Sequence, residues 1–184
     1  MTEKKLHLGC GSKFLKGFIH VDLADYSHID HRSNINDLSF IDNESIDLIY
    51  ACHVFEYFSV LDRDNLLIEW KKKLKKGGIL KLSVPNFDSI LEVYLKNRNI
   101  EDRGILGPLY GFWQNPDSEV PLFHKIAYNL RSIEALLQRH NFKNIQLYEY
   151  SDFLDDDYDD FSKAYIPHMD KTGILMSINI EAQK

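Results

Sequence analysis

Residues 6–23 read LHLGCGSKFLKGFIHVDL: two short apolar runs joined by a Gly-x-Gly turn, the second run ending at Asp22 and Leu23. Glycines at 9 and 11 let a backbone turn sharply and approach a ligand with no Cβ in the way. In an open α/β sheet such a turn lies beyond the carboxyl end of the first strand, on the rim of the ligand crevice. Thirteen positions separate Gly9 from Asp22, against about 20 in the dinucleotide-binding pattern. Phe14 stands where the third glycine of Gly-x-Gly-x-x-Gly belongs. The helix whose amino end would face a pyrophosphate therefore shrinks to a turn.

The rest of the chain supports a sheet of this kind. Residues 46–51 and 79–84 are further apolar, β-branched runs of the sort buried on both faces of a parallel sheet, and a weaker strand is expected near residues 31–35. Leu66, Leu67, Trp70 and Leu74 recur at helical spacing, and Gly77-Gly78 is expected to stop that helix. Two more helices are predicted over residues 89–95 and 132–140, the latter burying Ile133, Leu136 and Leu137 and ending at Asn141 in a left-handed cap. Strand-like residues 145–150 and 174–180 are joined by an acidic loop rather than a crossover helix, so they should pair antiparallel. The expectation is one α/β domain over residues 1–184: a Rossmann-like, mostly parallel seven-stranded sheet with a reversed C-terminal strand and helices on both faces. Residues 97–129 and 151–170 read as insertions on the substrate side.

Charge and cysteine usage narrow the partners. A net charge of −6 opposes bulk attraction to nucleic acid or anionic lipid. Residues 1–5, MTEKK, run straight into the first strand, and no apolar stretch is long enough to span a bilayer, so a cytoplasmic protein with no membrane partner is expected. Cys10 and Cys52 supply neither a zinc-type pair nor a disulfide framework and read as small core residues. Neither His53–Tyr57, which lacks the second histidine of a zinc helix, nor His28–His31 makes a metal site, so none is expected.

A cofactor with an adenosine but no phosphate loses least from the missing helix, because its ribose needs an acceptor such as Asp22 and its amino-acid end needs only backbone groups near the turn. S-adenosylmethionine fits that description. The ordered motifs LHLGCG, VDL, Asn36-Asp37-Leu38, DLIYACHVFEYF (residues 47–58) and LKKGGILKLSVPN (residues 74–86) resemble those of class I S-adenosylmethionine-dependent methyltransferases, in particular small bacterial members of the type 11 group. His124-Lys125 and LRSIEALLQRHNF (residues 130–142) resemble a late block of the same group. The resemblance covers most of the chain. It implies a methyl transferase acting on a small-molecule or glycan-related acceptor. It also implies a cofactor set of Gly9, Cys10, Gly11, Asp22, Leu23, Asp37, Leu38, Ala51 and His53, with Gly9 and Gly11 at the methionine end, Asp22 at the ribose, Asp37 and Leu38 at the adenine, and His53 near the sulfonium or the substrate.

Methyl transfer is a displacement at a carbon already activated by the sulfonium, so positioning supplies much of the catalysis. For a hydroxyl acceptor His53, His124 and His168 have suitable chemistry, with His124 the first choice as base and an ordinary packing role the competing one for each. Residues 109–113, LYGFW, read chiefly as the packing anchor of a long loop and secondarily as a stacking surface. The acidic residues 151–162 read as a solvated connection. A non-catalytic S-adenosylmethionine-binding protein is the second reading.

Overall fold

In the computed structural model, which describes residues 3–101, 103–114, 120–155, 157–167 and 170–184, the apolar runs become parallel strands. These are β1 (Lys5–Leu8), β2 (Ile19–Asp22), β3 (His31–Arg32), β4 (Ile46–Cys52) and, after helix α1 (Arg63–Lys73), β5 (Leu74–Pro85). Helices α2 (Phe87–Asn97), α3 (Arg103–Tyr110) and α4 (Leu130–Arg139) follow, then β6 (Lys143–Leu147), a hairpin of β7 (Tyr165–Ile166) and β8 (Ile174–Leu175), and β9 (Ser177–Gln183). Seven strands form one sheet in the order β3-β2-β1-β4-β5-β9-β6. All neighbours from β1 to β5 pair parallel, while β9 runs antiparallel to both β5 and β6. This is the mostly parallel sheet with a reversed C-terminal strand that the sequence predicts. Chain order turns back on itself between β1 and β4, which is where open sheets of this type leave a crevice.

Side chains alternate across a strand, and the two faces of this sheet receive different covers. Leu6, Leu8, Val21, Ile49, Ala51, Leu82 and Ile180 point to one face and pack with Leu66, Leu67 and Trp70 of α1 and Ile133, Leu136 and Leu137 of α4. Trp70 is fully buried and donates its indole N–H to the Ile35 carbonyl at 2.8 Å. Asn129 caps α4 in a reciprocal box with Ser132, and Asn141 ends it at φ 57°. The opposite face carries Tyr50, Cys52, Tyr148, Tyr150, Phe153 and Leu154, covered by short 3₁₀ turns at Tyr150–Asp152 and Phe161–Lys163 rather than by long helices. Helices α2 and α3 pack with the β7-β8 hairpin through Ile90, Val93, Ile105, Ile166 and Met176.

Three local expectations are corrected. Leu74 is not the last apolar residue of α1 but the first of β5, with extended φ −63° and ψ 138°, paired with Ile46. Gly77 therefore does not cap the helix. At φ 82° it kinks the strand beside an irregular register between Ile46 and Leu48. Residues 97–129, read as loop from their glycine and proline content, contain α3, where Gly104 lies so close to Ile166 that a Cβ would approach its Cγ1 to 2.9 Å. The acidic connection is not wholly solvated: Asp160 is buried and accepts from the Tyr50 hydroxyl at 2.6 Å and from the Ser162 amide at 2.9 Å.

Candidate functional site

The Gly-x-Gly turn follows β1 directly, and residues 9–18 form turns rather than a helix. What takes the place of the helix is a stack of rings. Phe14 lies on His20 with centroids 5.1 Å apart, and His20 meets His28 edge-on at 5.3 Å. His20 Nε2 accepts the Leu15 amide at 3.0 Å, so its proton sits on Nδ1 and points to Asp30. One buried imidazole thereby pins the loop that a helix would otherwise brace.

Gly9 adopts φ 64°, and a Cβ there would come within 2.4 Å of Val54 Cγ2, so only glycine fits between β1 and the loop after β4. Gly11, at φ 52°, faces open space, which leaves its backbone free for close approach by a ligand. Its amide donates to Asp22 Oδ2 at 2.7 Å, and Asp22 Oδ1 accepts from the Ala24 amide at 2.8 Å. Each carboxylate oxygen keeps a further lone pair.

These residues border a cleft of about 570 Å³ beyond the carboxyl ends of β1, β2 and β4. Of the residues expected at a cofactor, Gly9, Cys10, Gly11, Asp22, Leu23 and His53 line it. Burial, and then the neighbouring Asp22, push the Cys10 thiol up to about 12, so it stays protonated. The other three expected residues are not on its wall. Leu38 and Ala51 lie fully buried in the helix-side core, and the exposed Asp37 turns its carboxylate onto the Ser39 amide, a bond that lowers its pKa. Their neighbours Ile35, Asn36 and Cys52 line the cleft instead. Phe112, Trp113, Leu122 and Lys125 from one expected insertion, and Asp160 and Phe161 from the other, complete the wall. His7, at the motif's start, lines it too; its Nδ1 has no hydrogen-bond partner among the described residues, and burial followed by His20 and His28 lowers its pKa to about 3.

The two histidines expected as bases are held differently from that expectation. His53 has left-handed backbone, φ 49°, a conformation that costs a non-glycine residue roughly 1 kcal/mol. Its ring lies beside Phe161 at 5.3 Å, its Nε2 is 2.6 Å from Ser177 Oγ, and its Nδ1 is 3.8 Å from Glu56. Burial, then His124, lower its pKa to about 3. His124 does not line the cleft. It packs edge-on against Tyr57, which does, and its Nδ1 donates to the Pro108 carbonyl at 2.9 Å. Gly111 exists to admit it, since a Cβ there would lie 2.2 Å from His124 Nε2. One nitrogen of each ring is hydrogen-bonded, and the other faces Glu56. His168 lies outside the described residues. What the sequence reading missed is Glu56, fully buried between these rings; an acid inside the apolar run Val54-Phe55-Glu56-Tyr57-Phe58 is the one signal that marks it.

Residues 6–82 match the family described as "Methyltransferase domain". No curated protein matches the chain. Solved structures share its whole fold. A SAM-dependent methyltransferase from Archaeoglobus fulgidus aligns over 99% of this chain and 86% of its own, with 14% identity and a TM-score of 0.58. One from Methanosarcina mazei aligns over 100% and 94%, with 18% identity and a TM-score of 0.55. The 1,6-didemethyltoxoflavin-N1-methyltransferase of Burkholderia thailandensis, with 1,6-didemethyltoxoflavin and S-adenosylhomocysteine bound, aligns over 99% and 71%, with 10% identity and a TM-score of 0.55.

Proposed function

From an amino-terminal methyltransferase domain and a chain-long class I S-adenosylmethionine-dependent methyltransferase fold, we propose that this protein moves a methyl group from S-adenosylmethionine to a small-molecule or glycan-related acceptor. The observation that carries the reading is the shared cleft wall of Gly9, Gly11, Asp22 and His53 at the point where strand order reverses. The residues suit the cofactor: Gly11 opens its backbone to the cleft, Asp22 has acceptor capacity left for ribose hydroxyls, and no helix amino terminus follows the turn to hold a pyrophosphate. Ile35 and Asn36 take the adenine end in place of Asp37 and Leu38.

When bound, the cofactor supplies a methyl group already activated by a sulfonium. The chain's part is to orient it and to keep water away. Phe112, Trp113, Tyr57 and Phe161 give the acceptor side flat apolar surface on which a sugar or planar ring stacks. His53 lines the same cleft, and His124 packs edge-on behind the cleft-lining Tyr57. An acceptor atom that is already a competent nucleophile suits this arrangement, because one nitrogen of each imidazole is hydrogen-bonded and the other faces Glu56.

Calorimetric titration with S-adenosylmethionine, S-adenosylhomocysteine and NADH tests the assignment. Both adenosyl ligands should bind and NADH should not. Asp22→Ala should weaken binding by about 10- to 100-fold, the loss of a charge-assisted hydrogen bond. Binding without turnover in an acceptor screen would favour the non-catalytic reading, and failure of both adenosyl ligands would remove the cofactor assignment.

A further inference from the structure

The directions of three hydrogen bonds fix where the protons sit behind His53. The Phe161 carbonyl can only accept, so Ser177 Oγ donates to it at 2.5 Å. Having spent its single proton there, Ser177 must accept at its 2.6 Å contact with His53, which puts the proton of that ring on Nε2. The Pro108 carbonyl likewise can only accept, which puts the proton of His124 on Nδ1. Both rings are then left with one lone pair each, on His53 Nδ1 and His124 Nε2. Those two atoms face the same oxygen, Glu56 Oε1, at 3.8 and 3.6 Å.

Glu56 is 0% exposed, and neither of its oxygens has a hydrogen-bond partner among the described residues. An ionised carboxylate here would set three acceptors against one another away from bulk solvent, with no donor among them, which is costlier than a neutral group. A proton on the carboxyl removes that conflict. Among the described residues no three such side chains are arranged to hold a metal ion, and a proton needs no coordination sphere.

We propose that Glu56 is a positioning residue that carries a proton at neutral pH beside the lone pairs of His53 Nδ1 and His124 Nε2, keeping both rings neutral in single tautomers. The purpose we assign to it rests on the S-adenosylmethionine reading: an uncharged His53 lets a sulfonium lie against the cleft wall, where an imidazolium would repel it. Burial pushes the Glu56 carboxyl up to about 8 against the opposing pull of its own backbone amide, and burial followed by His124 holds His53 down, in keeping with the geometry. Among the described residues, Tyr57, Tyr128 and Cys52 also feel Glu56; all three are raised chiefly by burial, so none of them supplies a competing charge near pH 7.

Nuclear magnetic resonance on the full, labelled chain decides the matter without any ligand. The Glu56 carboxyl carbon is identified as the signal lost in Glu56→Gln. It should be protonated at pH 7 and titrate about two to four units above an ordinary glutamate. Long-range nitrogen spectra should show His53 as Nε2–H and His124 as Nδ1–H, both neutral. Glu56→Gln keeps a donor of the same shape, so it should preserve both tautomers and bind S-adenosylmethionine within about threefold of the wild type. A Glu56 carboxylate already ionised at pH 7, or an imidazolium at either ring, overturns the proposal. A protonated Glu56 in a chain that fails to bind the cofactor upholds the proton assignment and removes the cofactor reading instead.

Discussion

The two faces of the central sheet are built from the same strands and obey different rules. On the helix face every second residue is aliphatic, and α1 and α4 bring their own satisfied backbones, so the interface needs shape and little else. On the loop face the alternate residues of those strands are His7, His20, Tyr50, Ser83 and Asn179, all buried. Their cover is irregular chain whose peptide groups must find partners. Asn179 donates to the Ser162 carbonyl at 2.9 Å, and Ser83 donates to Asn179 at 2.6 Å. A face roofed by loops has to be polar inside, and that polarity is what a binding cleft then uses.

The comparison can be broken most severely from the helix side. Trp70→Ala should cost about 3–5 kcal/mol in chemical denaturation, as a large buried ring is lost and the Ile35 carbonyl orphaned; a loss below about 1 kcal/mol would mean α1 is not part of the core. On the loop face Tyr50→Phe removes only the hydroxyl held by Asp160. It should cost about 1–3 kcal/mol and speed hydrogen exchange in residues 150–163 before that of α1 and α4, because loop covers open at lower free energy.

Acidity sharpens the contrast. His7 and His53, with pKa values lowered to about 3 against 6.5, keep the folded chain from taking protons that the unfolded chain binds, so stability falls as pH drops below 6.5. Glu56, raised from 4.5 to about 8, keeps a proton that the unfolded chain has lost, so stability falls as pH rises toward 8. Melting temperature should peak near pH 6.5, and Glu56→Gln should flatten the alkaline side while steepening the fall between pH 6.5 and 4.5. The smallest effect belongs to the exposed ion pair joining α1 to α4: Arg139→Ala, which breaks a 2.8 Å contact with Asp64, should cost under about 1 kcal/mol and vanish in high salt.

The helix face was legible because its information is local. Apolar runs at 46–51 and 79–84 and the 3.6-residue spacing of Ile133, Leu136 and Leu137 each declare an element without reference to distant chain. The Gly9–Gly11 turn and Asp22 were legible for the same reason, being one turn and one strand end. Leu74 was misread because a strand running through Gly77 looks, in sequence, like a helix stopped by it. Glu56 and Asp160 escaped altogether. An acid in an aromatic run and an acid in an acidic loop acquire meaning only from His124 and from Tyr50, whose places in space depend on the whole topology.

That topology also sets an order of assembly. β9 lies between β5 and β6 and pairs Leu82 with Ile180, so β6 has no strand to join until β9 has docked. The helix-side core from β1 to α1 can gather through contacts close in sequence, whereas the edge beyond β5 must wait for a loop closure across some hundred residues. Until then β5 offers an open, apolar strand edge, the kind of surface through which unfolded neighbours join one another. Refolding yield should consequently be limited by concentration, with the loop face and its cleft the last parts of the molecule to form.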